Sequence, residues 1–367
     1  MVTKKVLTRK GAKPTGQRRV AKKVAAAREK VSFLRRSERN PIIQPAPGNS
    51  WESKAAFNAG AFEKDGKVHL LYRAIGNDDV SVLGYARSDD GIHISERLPE
   101  PAFVHRKTTN RSEPAYKLPY TSGGGWNGGC EDPRLTCIDG KVYLLFTDFD
   151  GWGSLRIALS SIDKNDFMNK NWDWEKPVPI SPPGEVHKNW VLFPEKINGK
   201  FAILHSFYPH ILIDYFDSLS QLDGTKFIKS DNSRPVDKTR SWDSWFRGVG
   251  PPPIKTDAGW LILYHAMDHR QPDRYRLGAL VLDLKDPTKI LYRSKNPILE
   301  PEEYYENQGY KWGVVYSCGA VVIDGTLFVY YGGADKVTCV ASADLNEFLK
   351  QIKSGAASPK LSRAGKK

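Results

Sequence analysis

Gly66-Lys-Val-His-Leu-Leu-Tyr-Arg73, followed after a short loop by Val82-Leu-Gly-Tyr-Ala-Arg87, reads as a glycine turn leading two strands rich in β-branched and aromatic residues. The same design returns four times. Gly140-Lys-Val-Tyr-Leu-Leu-Phe-Thr147 precedes Leu155-Arg-Ile-Ala-Leu-Ser160, and Gly199-Lys-Phe-Ala-Ile-Leu-His205 precedes Ile211-Leu-Ile-Asp-Tyr215. Gly259-Trp-Leu-Ile-Leu-Tyr-His265 precedes Arg276-Leu-Gly-Ala-Leu-Val281, and Gly325-Thr-Leu-Phe-Val-Tyr-Tyr331 precedes Val337-Thr-Cys-Val-Ala341. The leading glycines are about 60 to 75 residues apart, a spacing that suits four-stranded units with insertions in a radial array. The expected fold is therefore all-β, a five-bladed β-propeller. A two-sheet sandwich would give hairpins, but not five of one internal design. Helical periodicity is confined to the N-terminal arm and to Ala343–Ile352, where a short terminal helix is expected.

The 367-residue chain is 40% hydrophobic and 11% aromatic, enough for one large globular domain or two small ones. Its net charge of +13 is unevenly held: residues 1–40 carry 14 Lys/Arg against 2 acids and residues 351–367 carry 5 against none, which leaves 41–350 mildly acidic. Three segments follow: a basic, poorly ordered or helical arm (1–39), the propeller (40–350) and a basic tail (351–367). The arm lacks a continuous apolar stretch, so it reads neither as a secretory signal nor as a membrane span. Basic arms touch nucleic acid through non-specific electrostatics. Here Phe33 is the only ring before Trp51, so nothing interleaves to stack bases and a solvated tail is the better reading. Four cysteines, Cys130, Cys137, Cys318 and Cys339, lack CxxC spacing and read as the reduced thiols of a cytoplasmic protein.

The inner strands of a propeller point into a central channel, whose mouth is the usual site. Arg73, Asp148, His205, His265 and Asp335 end or follow the glycine-led strands and are expected to converge on that axis. The densest chemistry lies at Gly128-Gly-Cys-Glu-Asp-Pro-Arg134. Pro133 restricts the residue before it, so Asp132 is expected to be extended and aimed by its backbone, as a general acid must be. Upstream, Ser122–Gly129 has little side-chain bulk except Trp126 and Asn127, which suits close approach by a substrate.

Several motifs in sequence, Trp51-Glu52, Phe57-Asn-Ala-Gly60, Gly129-Cys-Glu-Asp-Pro-Arg134, Leu192-Phe-Pro-Glu195, Gly250-Pro-Pro-Pro-Ile-Lys255, Pro297-Ile-Leu-Glu-Pro301 and Tyr330-Tyr-Gly-Gly-Ala-Asp335, together resemble glycoside hydrolase family 130 over about residues 40–350. The resemblance implies a five-bladed propeller acting on β-mannosides, by inverting phosphorolysis that releases mannose 1-phosphate or, in some branches, by hydrolysis. It puts Asp132 in the place of the general acid, protonating the glycosidic oxygen through the 3-hydroxyl of the transferred mannose. It also puts Asp335 and Arg87 in sugar recognition and Lys188 and His265 in the phosphate pocket, with Tyr275 and Arg276 nearby. The implied partners are a β-mannoside oligosaccharide and inorganic phosphate as co-substrate, with no metal and no other cofactor. Family members often associate, so a homo-oligomer is compatible with the resemblance.

The chemistry agrees with these assignments. Inverting cleavage needs one acid and a nucleophile on the opposite face. When phosphate is the nucleophile no carboxylate base is needed, but a dianion must be held by convergent cations, for which Lys188, Arg247, His265 and Arg276 are available. Trp126, Trp152, Trp242, Trp245 and Trp312 are candidates to stack on sugar faces, with ordinary blade packing as the alternative. One departure stands out: many family phosphorylases carry arginine after the histidine that ends the third repeat's strand, where this chain has His205-Ser206. Arg247 is a candidate substitute. Without one, water is the nucleophile, and Glu185 or Glu195 is the candidate base of a β-mannosidase. A non-catalytic sugar-binding propeller is the third reading.

Overall fold

Four of the five recurring glycines sit second in a two-residue hairpin turn, namely Asp65-Gly66, Asp139-Gly140, Asn198-Gly199 and Asp324-Gly325. Both residues of each turn have positive φ, between 47° and 78°, the geometry that matches the twist of antiparallel strands and that Asp, Asn and Gly tolerate best. A strand therefore precedes every glycine. The computed structural model describes residues 33–105, 125–150 and 155–355, apart from 232, 234, 239 and 241.

After β1 (Arg35–Arg36), the first unit comprises β2 (Ala55–Lys64), β3 (Lys67–Ile75), β4 (Ser81–Ser88) and β5 (Ile94–Arg97). The second comprises β6 (Gly129–Ile138), β7 (Lys141–Phe149), β8 (Leu155–Asp163), the helix α1 (Lys164–Asn169) and β9 (Val178–Pro179). The third has β10 (Val191–Leu192), β11 (Phe201–Ser206) and β12 (Leu212–Phe216). The fourth has β13 (Trp245–Val249), β14 (Ile254–Thr256), β15 (Gly259–Asp268), β16 (Gln271–Leu282) and β17 (Ile290–Arg293). The fifth has β18 (Val315–Ile323), β19 (Thr326–Gly333) and β20 (Val337–Asp344), followed by α2 (Leu345–Ser354). Each unit is an antiparallel meander. One parallel pair, Ser81 with Gly129, merges the first two units, so hydrogen bonding gives four sheets and does not close them into one.

Apolar clusters fill the spaces between successive units. Leu71 and Tyr85 pack with Leu144 and Phe146, and Leu145 and Ile157 with Leu192 and Ile203. Leu204 and Phe207 pack with Ile262 and Tyr264, and Leu261 and Leu263 with Leu327 and Val329. Tyr330 and Val340 then pack with Leu70 and Tyr72 of the first unit. Strands covered on both faces read as unbroken apolar runs, and all ten residues of β15 are buried.

The folded unit takes in both edges of the tails. β1 pairs with β20, Arg35 opposite Ser342, and Leu34 is buried. Arg36 reaches the fully buried Glu306 at 2.8 Å. At the other end α2 runs through Ser354, two residues past the position expected for its end, with Asp344 capping it by accepting from Glu347 N. The remainder of the two basic segments, and the expectations placed on them, lie outside the described residues.

One expectation is corrected by this arrangement. The glycine-led strands β3, β7, β11, β15 and β19 are second in their units, not innermost. The strands before them meet instead: a Cβ on Gly60 of β2 would lie 2.4 Å from Pro133 O of β6, and one on Gly319 of β18 would lie 2.6 Å from Ala61 N of β2. Only glycine lets these backbones approach so closely.

Candidate active site

The first strands carry β-bulges where they come together. Pairing slips between Phe57 and Gly60 in β2, between Glu131 and Arg134 in β6, between Phe246 and Gly248 in β13, and between Ser317 and Gly319 in β18. A bulge bends its strand and re-aims a side chain, and bulges gather beside active sites. Here two of them turn Asn58 (φ 51°) and Asp132 (φ 52°) into left-handed backbone. The expectation that Pro133 holds Asp132 extended is thus wrong; the bulge overrides the local preference, and Asp tolerates the left-handed region.

Asp132 is 2% exposed and its carboxylate is enclosed by partners from the first unit and from the segment leading into β10. Asn58 Nδ2 donates to Oδ1 at 2.8 Å, Arg73 Nη1 lies 3.5 Å from Oδ1, and Lys188 Nζ lies 3.4 Å from Oδ2. Glu131, fully buried, takes Arg73 Nη2 at 2.9 Å and Lys188 Nζ at 3.2 Å. Arg73 is fixed in turn by donating from Nε to Ser81 Oγ and by lying 4.9 Å over the Phe57 ring. Arg134 ties strands together: it donates to Asp132 O at 2.7 Å, to Gly250 O at 3.0 Å and to Asn189 Oδ1 at 2.9 Å. Tyr316 donates to the same Asn189 oxygen, and Asn189 Nδ2 donates to Arg247 O.

Charge follows from this geometry. Burial would push the Asp132 carboxyl up, but Lys188, Arg73 and Arg134, with the Asn58 hydrogen bond, hold it well below the usual carboxylate range. Asp335 moves the other way. Burial raises it, opposed by Lys311, whose Nζ is 3.7 Å from Oδ2, and reinforced by the nearby negative charge of Asp132. Two carboxyl groups within electrostatic reach of each other are therefore driven apart.

Of the residues expected at the site, the structure brings Asp132, Lys188 and Asp335 into this neighbourhood. Arg247 and Tyr275 form its neighbouring wall: Arg247 Nε donates to the Tyr275 hydroxyl at 2.7 Å, and its guanidinium lies 4.5 Å over Trp245. His265 stands behind that wall, fully buried, stacked 4.1 Å from the Tyr316 ring, its Nε2 accepting from Ser317 N. Burial, with Arg134 next, lowers its pKa to about 3, so it is a neutral support and not a cation for phosphate. Arg276 points to Glu300 and Gln271, on the opposite face of β16 from Tyr275. Arg87 is six residues along β4 from Ser81, at the far end of the strand, paired with Asp89 and Glu96. Neither arginine joins the Asp132 cluster.

Trp126 is exposed in a turn beside Asn127, whose side chain donates to Asp78 O. Trp242 packs on Tyr264 and Trp245 lies beneath Arg247, so both serve the wall itself. Trp152 lies outside the described residues. Glu195 is half exposed against Lys255 on the outside, and Glu185 is bound to His187, so neither candidate base contacts Asp132. Ser206 donates to His210 O. Asn189 and Tyr316 escaped notice in the sequence, because nothing local marks residues whose partners lie 55 and 127 positions away.

A buried carboxylate held between fixed cations on a bulged all-β frame is an arrangement that suits an enzyme breaking glycosidic bonds. The family model described as beta-1,4-mannooligosaccharide phosphorylase matches residues 29–354, and the chain belongs to that family, glycoside hydrolase family 130. It is 41% identical over 325 residues to a 1,2-beta-oligomannan phosphorylase of Thermoanaerobacter sp. (strain X514), covering 86% of this chain and 98% of that one. It is 38% identical to a beta-1,2-mannobiose phosphorylase of the same organism, covering 82% and 94%. Among solved structures, a beta-1,2-mannobiose phosphorylase from Listeria innocua, in complex with beta-1,2-mannobiose, is 26% identical with a TM-score of 0.65, covering 88% and 99%. These relatives are glycoside phosphorylases. Among the described residues, no helix is long and apolar enough to cross a membrane.

Proposed function

We propose that this enzyme catalyses inverting phosphorolysis of β-mannosides, transferring a mannosyl unit to inorganic phosphate and releasing α-mannose 1-phosphate. The five meanders, with apolar clusters between every successive pair including the last and the first, support a five-bladed propeller as its frame. The β-1,2 linkage is favoured by identity: 41% and 38% to the β-1,2 phosphorylases against 28% to a beta-1,4-mannooligosaccharide phosphorylase of Ruminococcus albus.

The observation that carries the reading is Asp132, aimed by its bulge and held by Asn58 at 2.8 Å between Arg73 and Lys188. Those cations hold its charge, so it rests as a carboxylate. A phosphate dianion seated beside Lys188 draws that ammonium away and adds negative charge, and both effects raise the Asp132 pKa toward that of a working acid. Asp132 then carries the proton destined for the leaving oxygen, while Lys188 and Arg247 steady the nucleophile. Phosphate thereby arms the acid that it needs. Asp335, pushed toward its neutral form by burial, is the group this reading assigns to hydrogen-bond sugar hydroxyls.

Incubation with β-1,2- and β-1,4-mannobiose, with and without phosphate, tests the reading. Mannose 1-phosphate formed only with phosphate supports it. Free mannose at equal rate in phosphate-free buffer makes the enzyme a β-mannosidase, and binding without turnover makes it a sugar-binding propeller.

A further inference from the structure

The loop from Glu306 to Val314 is pinned at both ends to residues already placed around the site. Gly309 leaves no room for a side chain, since a Cβ there would lie 2.2 Å from Ala334 O. Lys311 N donates to the same Ala334 oxygen at 3.1 Å, next to Asp335. At the far end Tyr275 N donates to Gly313 O at 2.9 Å. On a backbone fixed this way two large rings face outward, Tyr310 at 43% exposure and Trp312 at 53%. The Arg274 guanidinium lies 5.8 Å from the Trp312 ring, and Tyr310 is within electrostatic reach of the Lys54–Asp79 ion pair. Asp79 O accepts from Asn127 N, which brings the exposed Trp126 to the same side.

Large apolar side chains gathered on one exposed rim mark a binding surface. The chemistry of the site says what crosses it. A mannosyl unit reacting beside Asp132 and Asp335, which are 2% and 7% exposed, is enclosed, so the rest of an oligosaccharide leaves through the mouth and lies over the rim. Sugar rings present apolar C–H faces with polar edges, which match the flat faces and polar tips of Trp and Tyr. We propose that Trp312 and Tyr310 form a stacking platform for mannosyl residues beyond the two that flank the cleaved bond, and so set a preference for longer β-mannosides over the disaccharide. This rests on the β-mannoside phosphorylase reading.

The test is kcat/KM for β-1,2-mannobiose, -triose and -tetraose at saturating phosphate, in the wild type, Trp312→Ala and Tyr310→Ala. Trp312→Ala is expected to lose roughly fivefold to tenfold on the triose and tetraose and under about twofold on the disaccharide, with Trp312→Phe recovering most of the loss. Equal losses at all three lengths, or no loss at any, overturn the platform. Wild-type protein that releases no mannose 1-phosphate from any of them overturns the underlying function instead. In that case calorimetric binding of the tetraose decides the platform: affinity unchanged in Trp312→Ala ends it, and affinity lost in that variant alone upholds it.

Discussion

Asn58 Nδ2 donates to Asp132 Oδ1 across 2.8 Å, and both residues hold left-handed backbone at matching bulges of neighbouring strands. Asn58 is itself backed by Gly332, where a Cβ would stand 2.0 Å from its Oδ1. Gly332→Ala therefore drives Asn58 off Asp132 without touching the carboxylate. We expect a loss in kcat on the order of a hundredfold, the scale on which a displaced reacting group is felt. A variant with wild-type kcat would mean that Asn58 does not position Asp132.

Asp132→Asn keeps the shape and removes the proton. General acid catalysis contributes about 10²- to 10⁴-fold, so turnover is expected to drop by that range. The change also leaves Arg73 and Lys188 with one buried counter-charge, Glu131, in place of two. Melting is expected a few degrees lower, with the fold retained by circular dichroism. Normal turnover would remove Asp132 from the mechanism.

How much of this was legible in the sequence depends on how local the signal was. The five hairpins were legible because a two-residue turn and a strand covered on both faces stamp their pattern on adjacent residues, as in Asp65-Gly66 followed by Lys67–Ile75. The innermost strands were not, because bulges break their alternation and small residues such as those of Ala55–Lys64 blur it. Helix α1 escaped because six residues are too few for a 3.6-residue period, though Asp163 caps it by accepting from Asn165 N. At the site, Asp132 announced itself by its motif. Arg87, put in sugar recognition by the resemblance, and Arg276, chosen as a nearby cation, stand apart because neither motif nor residue type shows the face or strand end on which the fold presents a charge.

Lys188 separates the two substrates. Its ammonium lies between Glu131 and Asp132 and its removal takes a cation from the proposed anion seat. Lys188→Ala is expected to raise KM for phosphate at least about tenfold, the equivalent of a lost charged hydrogen bond, while KM for the mannoside changes little. Equal increases in both would argue against Lys188 as a phosphate ligand.

Arg36 tests whether the end of the basic segment belongs to the fold. Its guanidinium reaches Glu306, which has no exposed surface, and Glu300 O at 2.6 Å. Arg36→Ala leaves Glu306 with the Tyr331 hydroxyl and backbone donors but no cation among these contacts. Breaking such a pair costs about 3 to 5 kcal/mol, so chemical denaturation should shift to clearly lower denaturant. An unchanged midpoint would place β1 outside the cooperative unit.

His265 and His69 predict how the fold responds to acid. Burial, followed by Arg134 for His265 and Arg87 for His69, lowers their pKa from 6.5 to about 3 and about 4. Because the folded values lie below the unfolded one, the unfolded chain takes up protons first as pH falls. The neutral rings therefore contribute stability in full above pH about 6.5, and it drains away as pH drops toward those folded values, at up to about 1.4 kcal/mol per group per pH unit. Asp132, also depressed, adds its loss only below its ordinary value of 3.8. Melting temperature is thus expected to decline already between pH 6.5 and 4.5, where paired carboxylates are still charged. His265→Gln keeps an acceptor for Ser317 N without a titrating ring, so its decline across that window should be shallower than the wild type's, whatever its absolute stability. Parallel slopes would show that His265 is protonated as readily in the folded protein as in the unfolded chain.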